Sequence, residues 1–96
     1  MATRYYITLG ASTTAGGTVT TASSLLALDG VKVALEGDQV SCPACGSTGT
    51  IGLDGPRLPA RHDGRQYALD GDLCLCRCDP PPRLVAVQHL SGQTIG

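Results

Sequence analysis

Residues 28–42 read LDGVKVALEGDQVSC and align without gaps with residues 62–76, which read HDGRQYALDGDLCLC. Seven of the fifteen aligned positions are identical, and the last identical pair is Cys42 and Cys76. A third, weaker copy covers residues 3–15, and its matches to residues 64–76 are Arg4, Tyr6 and Gly10. Repetition within so short a chain predicts one supersecondary unit used three times.

Each strong copy contains Asp-Gly between β-prone stretches, at Asp29-Gly30 and at Asp63-Gly64. This dipeptide favours the two-residue type I′ turn of a β-hairpin, in which both central residues take positive φ. Residues 84–95 predict another hairpin, with a strand over 84–90, a turn at Ser91-Gly92 and a returning strand over 93–95. If this hairpin lies beside the N-terminal strand, the chain ends are adjacent and three similar hairpins surround a threefold pseudo-axis.

The remaining segments predict strands and loops. Residues 18–20 are Thr-Val-Thr and favour a strand, whereas residues 22–28 are too few to form an independent helix. Residues 46–60 and 78–84 are rich in Gly or Pro and are interpreted as loops. The predicted fold is therefore mostly β, a small domain of three pseudo-symmetric β-hairpins without a long helix.

Length and composition limit the possible functions. The 96 residues, 9.8 kDa, allow one domain over 1–96, and with three Tyr, no Phe and no Trp its apolar core must be thin. The net charge is −1 and the single lysine is Lys32, which disfavours binding to nucleic acid or to an anionic membrane surface. The sequence offers neither a membrane helix nor the apolar stretch of a signal peptide, so we expect synthesis in a reducing cytoplasm.

Five cysteines are the candidates for additional stabilisation of this thin core. Cys42 and Cys45 form a C-x-x-C knuckle, and a C-x-C-x-C cluster follows at residues 74–78. Two close cysteine clusters are a common way to present four thiolates to Zn²⁺. The predicted ligand set is Cys42, Cys45, Cys76 and Cys78. Cys74 aligns with positions of inward packing, although side-chain alternation along an extended strand leaves it open as the fourth ligand.

The sequence gives weaker support to other chemistry. A thioredoxin-like redox pair would open a helix within a βαβ unit, and inert buried thiols are the third interpretation of the cysteines. His62 and His89 are interpreted as strand or surface histidines, and Asp38 and Asp72 as turn caps. No nucleophile with a partnered base is recognisable, so we expect no enzyme. The alternative function is a small zinc-binding module that recognises protein or nucleic acid.

Three stretches resemble a known family: LGASTTAGG at 9–17, ALEGDQVSCP at 34–43, and residues 63–72 from Asp-Gly to Gly-Asp. They are similar to the PAAR-repeat proteins that form the tip of the type VI secretion spike. The resemblance implies a sharp β cone with a structural zinc ion near its apex. It also implies a broad base that sits, one tip per trimer, on the trimeric valine-glycine repeat spike protein.

The resemblance further implies a structural role, with membrane puncture and recruitment of secreted effectors. The protein would then be exported from the bacterial cytoplasm on the spike to the extracellular space or a target cell, with transient contact with the target membrane. Because the sequence ends at Gly96, no appended toxin domain is expected.

The sequence departs from the family pattern in two places, and the first concerns the metal. Ala11 and Ala15 stand where the first repeat of the family usually carries Asp and His, and residues 66–69 keep one Ala of the Pro-Ala-Ala-Arg stretch. We therefore hypothesise that the additional cysteines replace the lost histidine. Four thiolates around Zn²⁺ carry a charge of −2, which amide donors or Arg77 are expected to offset.

Overall fold

A computed structural model describes residues 2–55, 57, 61–62, 64–78, 81–88 and 91–95. These residues include no helix with the length and apolar character needed to traverse a lipid bilayer. The strands are β1 (Ala2–Tyr5), β2 (Ser12–Thr13), β3 (Thr18–Val19), β4 (Ala27–Leu28), β5 (Val31–Lys32), β6 (Gln39–Cys42), β7 (Ser47–Gly52), β8 (Arg61–His62), β9 (Arg65–Gln66), β10 (Leu73–Leu75), β11 (Leu84–Val85) and β12 (Gly92–Ile95). The predicted mostly-β class is confirmed.

Six strands form one antiparallel sheet in the order β10-β7-β6-β3-β2-β11. A bridge between Leu73 and Arg83 joins the two outer strands, and the Cys74 amide donates to the Pro82 carbonyl at 2.8 Å. The sheet therefore closes on itself as a ring of three hairpins. The strand registers place the turns after β2, β6 and β10 at the same end of the ring, which we call the point.

Three equivalent residues, one from each repeat, are joined by a cycle of main-chain hydrogen bonds. Ile7 N–H donates to the Ala68 carbonyl at 2.9 Å, Ala68 N–H to the Ala34 carbonyl at 3.0 Å, and Ala34 N–H to the Ile7 carbonyl at 2.8 Å. The flanking residues repeat the cycle with the bridges Thr8–Val33, Leu35–Tyr67 and Leu69–Tyr6. The chain thus has a threefold pseudo-axis, as the internal repeat predicts.

Three two-stranded ribbons extend from this ring. In the β4–β5 ribbon Asp29 and Gly30 have φ of 53° and 81°, which confirms the predicted type I′ geometry. In the β8–β9 ribbon His62 pairs with Arg65, so the ribbon turns at the predicted place, although Asp63 lies outside the described residues.

The third ribbon corrects the prediction for the C-terminus. Leu84–Val85 pairs with β2, and Gly92–Ile95 pairs with β1, so Ser91-Gly92 is not a hairpin turn. The predicted strand over 84–90 ends at Val85, with residues 89–90, including His89, outside the described part. Alternation in the sequence could not show that two distant segments share one ribbon. The expected adjacency of the chain ends is nevertheless confirmed, because β1 and β12 pair along their length.

The interpretation of residues 46–60 as a loop is wrong over its first half. Ser47–Gly52 forms β7, which pairs with both β6 and β10. Its glycines, which suggested a loop, are needed for close packing. A Cβ at Gly49 would lie 2.7 Å from the Leu75 carbonyl oxygen and 2.9 Å from Cys74 Sγ.

The main core lies inside the ring and continues toward the point. Ala22, Cys45, Cys76, Cys78 and Ala86 are partly buried and pack against it. The buried members are Ile7, Ala11, Val19, Ala34, Val40, Cys42, Ile51, Ala68, Cys74 and Leu84. None of these side chains is aromatic, so the cysteine cluster covers one end of a core built from small residues.

Candidate metal centre

The first pair of cysteines is placed by the turn between β6 and β7. Cys42 is the last residue of β6 and is buried, and Cys45 lies in the following turn. Gly46 closes this turn with φ of 65°, and its amide donates to the Pro43 carbonyl at 3.3 Å. Because β7 begins at Ser47, no helix follows the knuckle, and the structural context of a thioredoxin-like redox pair is missing here.

The second pair follows β10, which ends at Leu75. Cys74 lies within the strand and is fully buried, as its alignment with inward positions predicts. Cys76 and Cys78 lie beyond the strand and are partly exposed. Side-chain alternation therefore does not extend to these two residues, which is why it could not decide between Cys74 and Cys78.

The structure brings the four cysteines predicted as ligands together. Their Sγ atoms all lie within 4.8 Å of one another. Cys42 Sγ is 3.3 Å from Cys76 Sγ and 3.6 Å from Cys78 Sγ. Four sulfurs at such spacing can hold a metal ion. Among the residues that the structure describes, this group includes neither Cys74 nor a histidine, and the two groups of ligands come from the second and third repeats.

Hydrogen bonds make the four sulfurs unequal. The Ser47 hydroxyl, 3.0 Å from Cys45 Sγ, lowers the pKa of Cys45 to about 6 against the opposing effect of burial, and the Arg77 main-chain amide acts in the same direction. Contact with Cys42 raises the pKa of Cys78 to about 12. Contact with Cys76 likewise raises the pKa of Cys42. In the metal-free protein, Cys45 therefore becomes a thiolate more readily than Cys42 or Cys78.

Cys74 differs from the four. Burial raises the pKa of its thiol to about 12, and the nearby Cys76 charge adds to this effect. A buried neutral thiol behaves as a small apolar side chain. Cys74 therefore belongs to the core beneath the cluster.

The two aspartates predicted as turn caps perform that role. Asp38 accepts the Leu35 amide at 2.7 Å, and Asp72 accepts the Leu69 amide at 2.9 Å. Burial alone would raise the pKa of Asp38, but hydrogen bonds from the Ser23 hydroxyl and from main-chain amides hold it below its ordinary value.

The pairing of arginines with these aspartates was not predicted from the sequence. Arg65 lies 3.4 Å from Asp38, and Arg4 lies 3.0 Å from the fully buried Asp72. Arg57 also pairs with Asp72 and is itself only 10% exposed. The aligned arginines at positions 4 and 65 were the available signal, since equivalent residues meet equivalent neighbours under pseudo-symmetry. Arg57 has no such counterpart, so no pattern indicated it.

Comparison with protein families gives a match to the PAAR motif over residues 9–79. No match was found among curated proteins or among solved structures. The matched range contains the four clustered cysteines, most of the main-chain cycle and both aspartate caps. The geometry of three repeats closed around an axis and the family match agree, and the chain belongs to the PAAR-motif family.

Proposed function

We propose that this protein is a non-enzymatic tip of the type VI secretion spike, the structural role associated with the PAAR motif. One copy caps the trimeric valine-glycine repeat spike protein and sharpens it for membrane puncture. The observation that supports this most is the main-chain cycle through Ile7, Ala34 and Ala68. It gives a single chain the threefold arrangement that a trimeric partner presents at its end.

We propose further that Zn²⁺ is held by Cys42, Cys45, Cys76 and Cys78. Tetrahedral zinc with Zn–S bonds of about 2.3 Å requires sulfurs about 3.8 Å apart. The sulfur separations of 3.3 and 3.6 Å, with all four within 4.8 Å, fit this requirement after small adjustments. When bound, the ion supplies a crosslink between the second and third repeats and contributes apparent folding free energy of order 10 kcal/mol, as in small zinc domains.

The proposed cellular route follows from this role. The protein is made in the bacterial cytoplasm, leaves the cell on the spike and meets the target membrane only in passing. Secreted effectors are proposed as further partners, and nucleic acid is not, because the net charge is −1.

Capture by a purified trimeric spike protein tests the proposal. The zinc-loaded chain and spike proteins from the same cell are mixed, and the mass of the complex is measured by light scattering. We expect one tip per trimer, and we expect elemental analysis to give one zinc per chain. Failure to bind any of these spikes would refute the tip assignment, and a purified chain without zinc would refute the metal assignment.

A further inference from the structure

The four clustered cysteines allow a second kind of crosslink besides a shared metal ion. Cys42 Sγ lies 3.3 Å from Cys76 Sγ and 3.6 Å from Cys78 Sγ. Because the S–S bond of a disulfide measures about 2.05 Å, the sulfurs of Cys42 and Cys76 need to approach by about 1 Å. Modest χ1 rotations at both residues can supply this approach without movement of the main chain. This pair is therefore placed for direct bond formation.

The strands hold these two cysteines close together from two different repeats. Cys42 ends β6, and Cys76 directly follows β10. Strand β7 lies between these strands and pairs with both. Its Gly49 leaves room for the Cys76 side chain, because a Cβ at position 49 would lie 3.0 Å from Cys76 Cβ. A bond between Cys42 and Cys76 would therefore link β6 to the end of β10, and the second repeat to the third.

The consequence of a disulfide depends on which two sulfurs it joins. A bond from Cys42 to Cys45, or from Cys76 to Cys78, would close a short loop and leave the repeats unlinked. Cys42 and Cys76 are 34 residues apart in the sequence, and a disulfide that closes a longer loop constrains the unfolded chain more strongly. Oxidation that begins at Cys45 or Cys78 can still lead to this bond, because thiol–disulfide exchange can pass it among sulfurs within 4.8 Å of one another.

We propose that, once the metal is removed, Cys42 and Cys76 form a disulfide that takes over the crosslink between the second and third repeats, with a hydroperoxide as oxidant. The partly exposed Cys76 sulfur attacks one peroxide oxygen, the O–O bond breaks and water leaves, which gives a sulfenic acid. The Cys42 sulfur then attacks the Cys76 sulfur, the S–O bond breaks and a second water leaves. Two thiols thus lose two electrons and two protons, and one molecule of hydrogen peroxide is reduced to two waters.

The disulfide and the bound metal exclude each other, because they use the same two sulfurs. The inference goes beyond the proposed zinc site, since it concerns what links the repeats after the metal has left. Its use to the cell rests on the proposed export on the spike, which takes the chain from a reducing cytoplasm into an oxidising exterior. The chemistry itself depends on the positions of the sulfurs and can be measured without a spike protein.

Peptide mapping of the oxidised full chain tests the proposal. The chelator-treated chain is exposed to hydrogen peroxide, its remaining thiols are blocked with N-ethylmaleimide, and it is digested with trypsin. Because trypsin cleaves after Arg77, the peptides that carry Cys42, Cys76 and Cys78 are separate, and they span residues 33–57, 66–77 and 78–83. We expect 33–57 linked to 66–77, with a mass lower by two hydrogen atoms than the sum of the two. A link from 33–57 to 78–83 as the main product, or oxygen addition without a link, would overturn the proposal.

Single cysteine variants identify the two bonded residues. Cys45 shares a tryptic peptide with Cys42, and Cys74 shares one with Cys76. The link should therefore persist in Cys45→Ser and in Cys74→Ser and should be lost in Cys42→Ser. Cys78→Ser is the matched control, because it also removes one of the four clustered sulfurs but should keep the link. Loss of the link in Cys45→Ser, Cys74→Ser or Cys78→Ser would overturn the proposal, and fragmentation of the linked peptides in the parent chain assigns the bond without any variant.

Stability and metal release provide two further measurements. The oxidised chain should melt about 10 °C above the reduced, chelator-treated chain, and equal melting temperatures would overturn the claim that the disulfide takes over the crosslink. Peroxide treatment of the zinc-loaded chain should release one zinc for each bond formed, and zinc retained in the crosslinked chain would overturn the proposal. Failure of the parent chain to bind a spike would remove the tip function, whereas a missing link between the two peptides would remove this inference and leave the tip function standing.

Discussion

Cys42 Sγ and Cys76 Sγ lie 3.3 Å apart across a sequence separation of 34 residues. The two cysteines occupy the same position in two copies of one repeat, so pseudo-symmetry itself brings them together. The equivalent position in the first repeat is Ala15. The candidate metal centre therefore uses two of the three repeats. The second repeat supplies Cys45 as an additional candidate ligand, and the third repeat supplies Cys78.

Replacing either repeat-equivalent cysteine should remove the metal. Cys42→Ser and Cys76→Ser are each expected to abolish stoichiometric zinc and to lower the melting temperature, because metal binding contributes to folding stability in small zinc domains. Elemental analysis and thermal denaturation measure the two effects. Cys74→Ser is the matched control. Its thiol lies outside the four-sulfur group, so zinc content should persist while stability falls. Full zinc content in Cys42→Ser would contradict the ligand assignment.

Ser47→Ala should disturb the same site through Cys45. In the metal-free parent protein the pKa of Cys45 is about 6, so its alkylation by iodoacetamide should be fast above pH 6 and slow below it. Loss of the Ser47 hydroxyl should move this midpoint upward. Because hydrogen bonds to ligands commonly change metal affinity about 10- to 100-fold, zinc should also pass more readily to a chelator. An unchanged midpoint would exclude the hydroxyl as its cause.

The depressed Cys45 pKa also sets a pH dependence for the metal-free chain. The thiolate is stabilised by folding, so its contribution is fully present above the unfolded thiol pKa of about 8.5 and is lost as pH falls through about 6. Urea denaturation of the metal-free parent and of Ser47→Ala, at pH 5 and pH 9, checks the sign. The gain in stability between the two pH values should be smaller in the variant, and an equal gain would contradict the assignment.

Asp72→Asn should be strongly destabilising. The variant leaves Arg4 and Arg57, 14% and 10% exposed, without their shared anion, and breaking a buried ion pair typically costs about 3–5 kcal/mol. Denaturant unfolding measures this loss. Asp38→Asn is the comparison, since its partner Arg65 is 37% exposed, and it should cost less. A smaller loss for Asp72→Asn than for Asp38→Asn would contradict the importance of the buried network.

The aligned positions Ala11 and Val31 lack the ion pair that Asp38 and Arg65 form between the second and third repeats, and building that pair tests the pseudo-symmetry. Ala11→Asp alone places a carboxylate at a fully buried position and should cost stability, because an unpaired buried charge is unfavourable. Adding Val31→Arg supplies the partner that Arg65 provides for Asp38. The double-mutant cycle is therefore expected to show favourable coupling of about 1–3 kcal/mol. Additive losses in the free energy of unfolding would contradict the expected contact between positions 11 and 31. The first and second repeats would then pack differently from the other pairs of repeats.

Gly49→Ala tests the close contact between β7 and β10. The added methyl group would meet the Leu75 carbonyl oxygen at 2.7 Å, and overpacking of this kind costs about 1–3 kcal/mol. Gly52→Ala is a useful companion, because its Cβ would meet side-chain carbons of Leu75, Cδ1 at 2.7 Å and Cγ at 2.8 Å, and a side chain can move more easily than main chain. A larger loss at Gly52 than at Gly49 would contradict this distinction.

The repeats and the cysteine cluster were predictable from the sequence because both depend on local spacing. Asp29-Gly30 determines a turn by its own conformational preference, and the alignment of Cys42 with Cys76 follows from the repeat. The burial of Cys74 was predictable for the same reason, since its aligned partners Val40 and Thr13 are also buried.

Features that depend on distant partners were not predictable in this way. Gly92–Ile95 pairs with β1 from the other end of the chain, and no local pattern identifies such a partner. The glycines of β7 resembled a loop because their purpose lies in contact with β10. Arg57 reaches Asp72 from a segment that belongs to no repeat, so its role emerges only when the chain is folded.

The main-chain cycle through Ile7, Ala34 and Ala68 uses no side-chain atom. Most amino-acid replacements therefore leave its donors and acceptors in place, and proline is the exception because it removes the N–H group. The repeats are consequently free to diverge in composition while keeping a common architecture. This tolerance accounts for a first repeat that shares only Arg4, Tyr6 and Gly10 with the third and yet occupies an equivalent place around the axis.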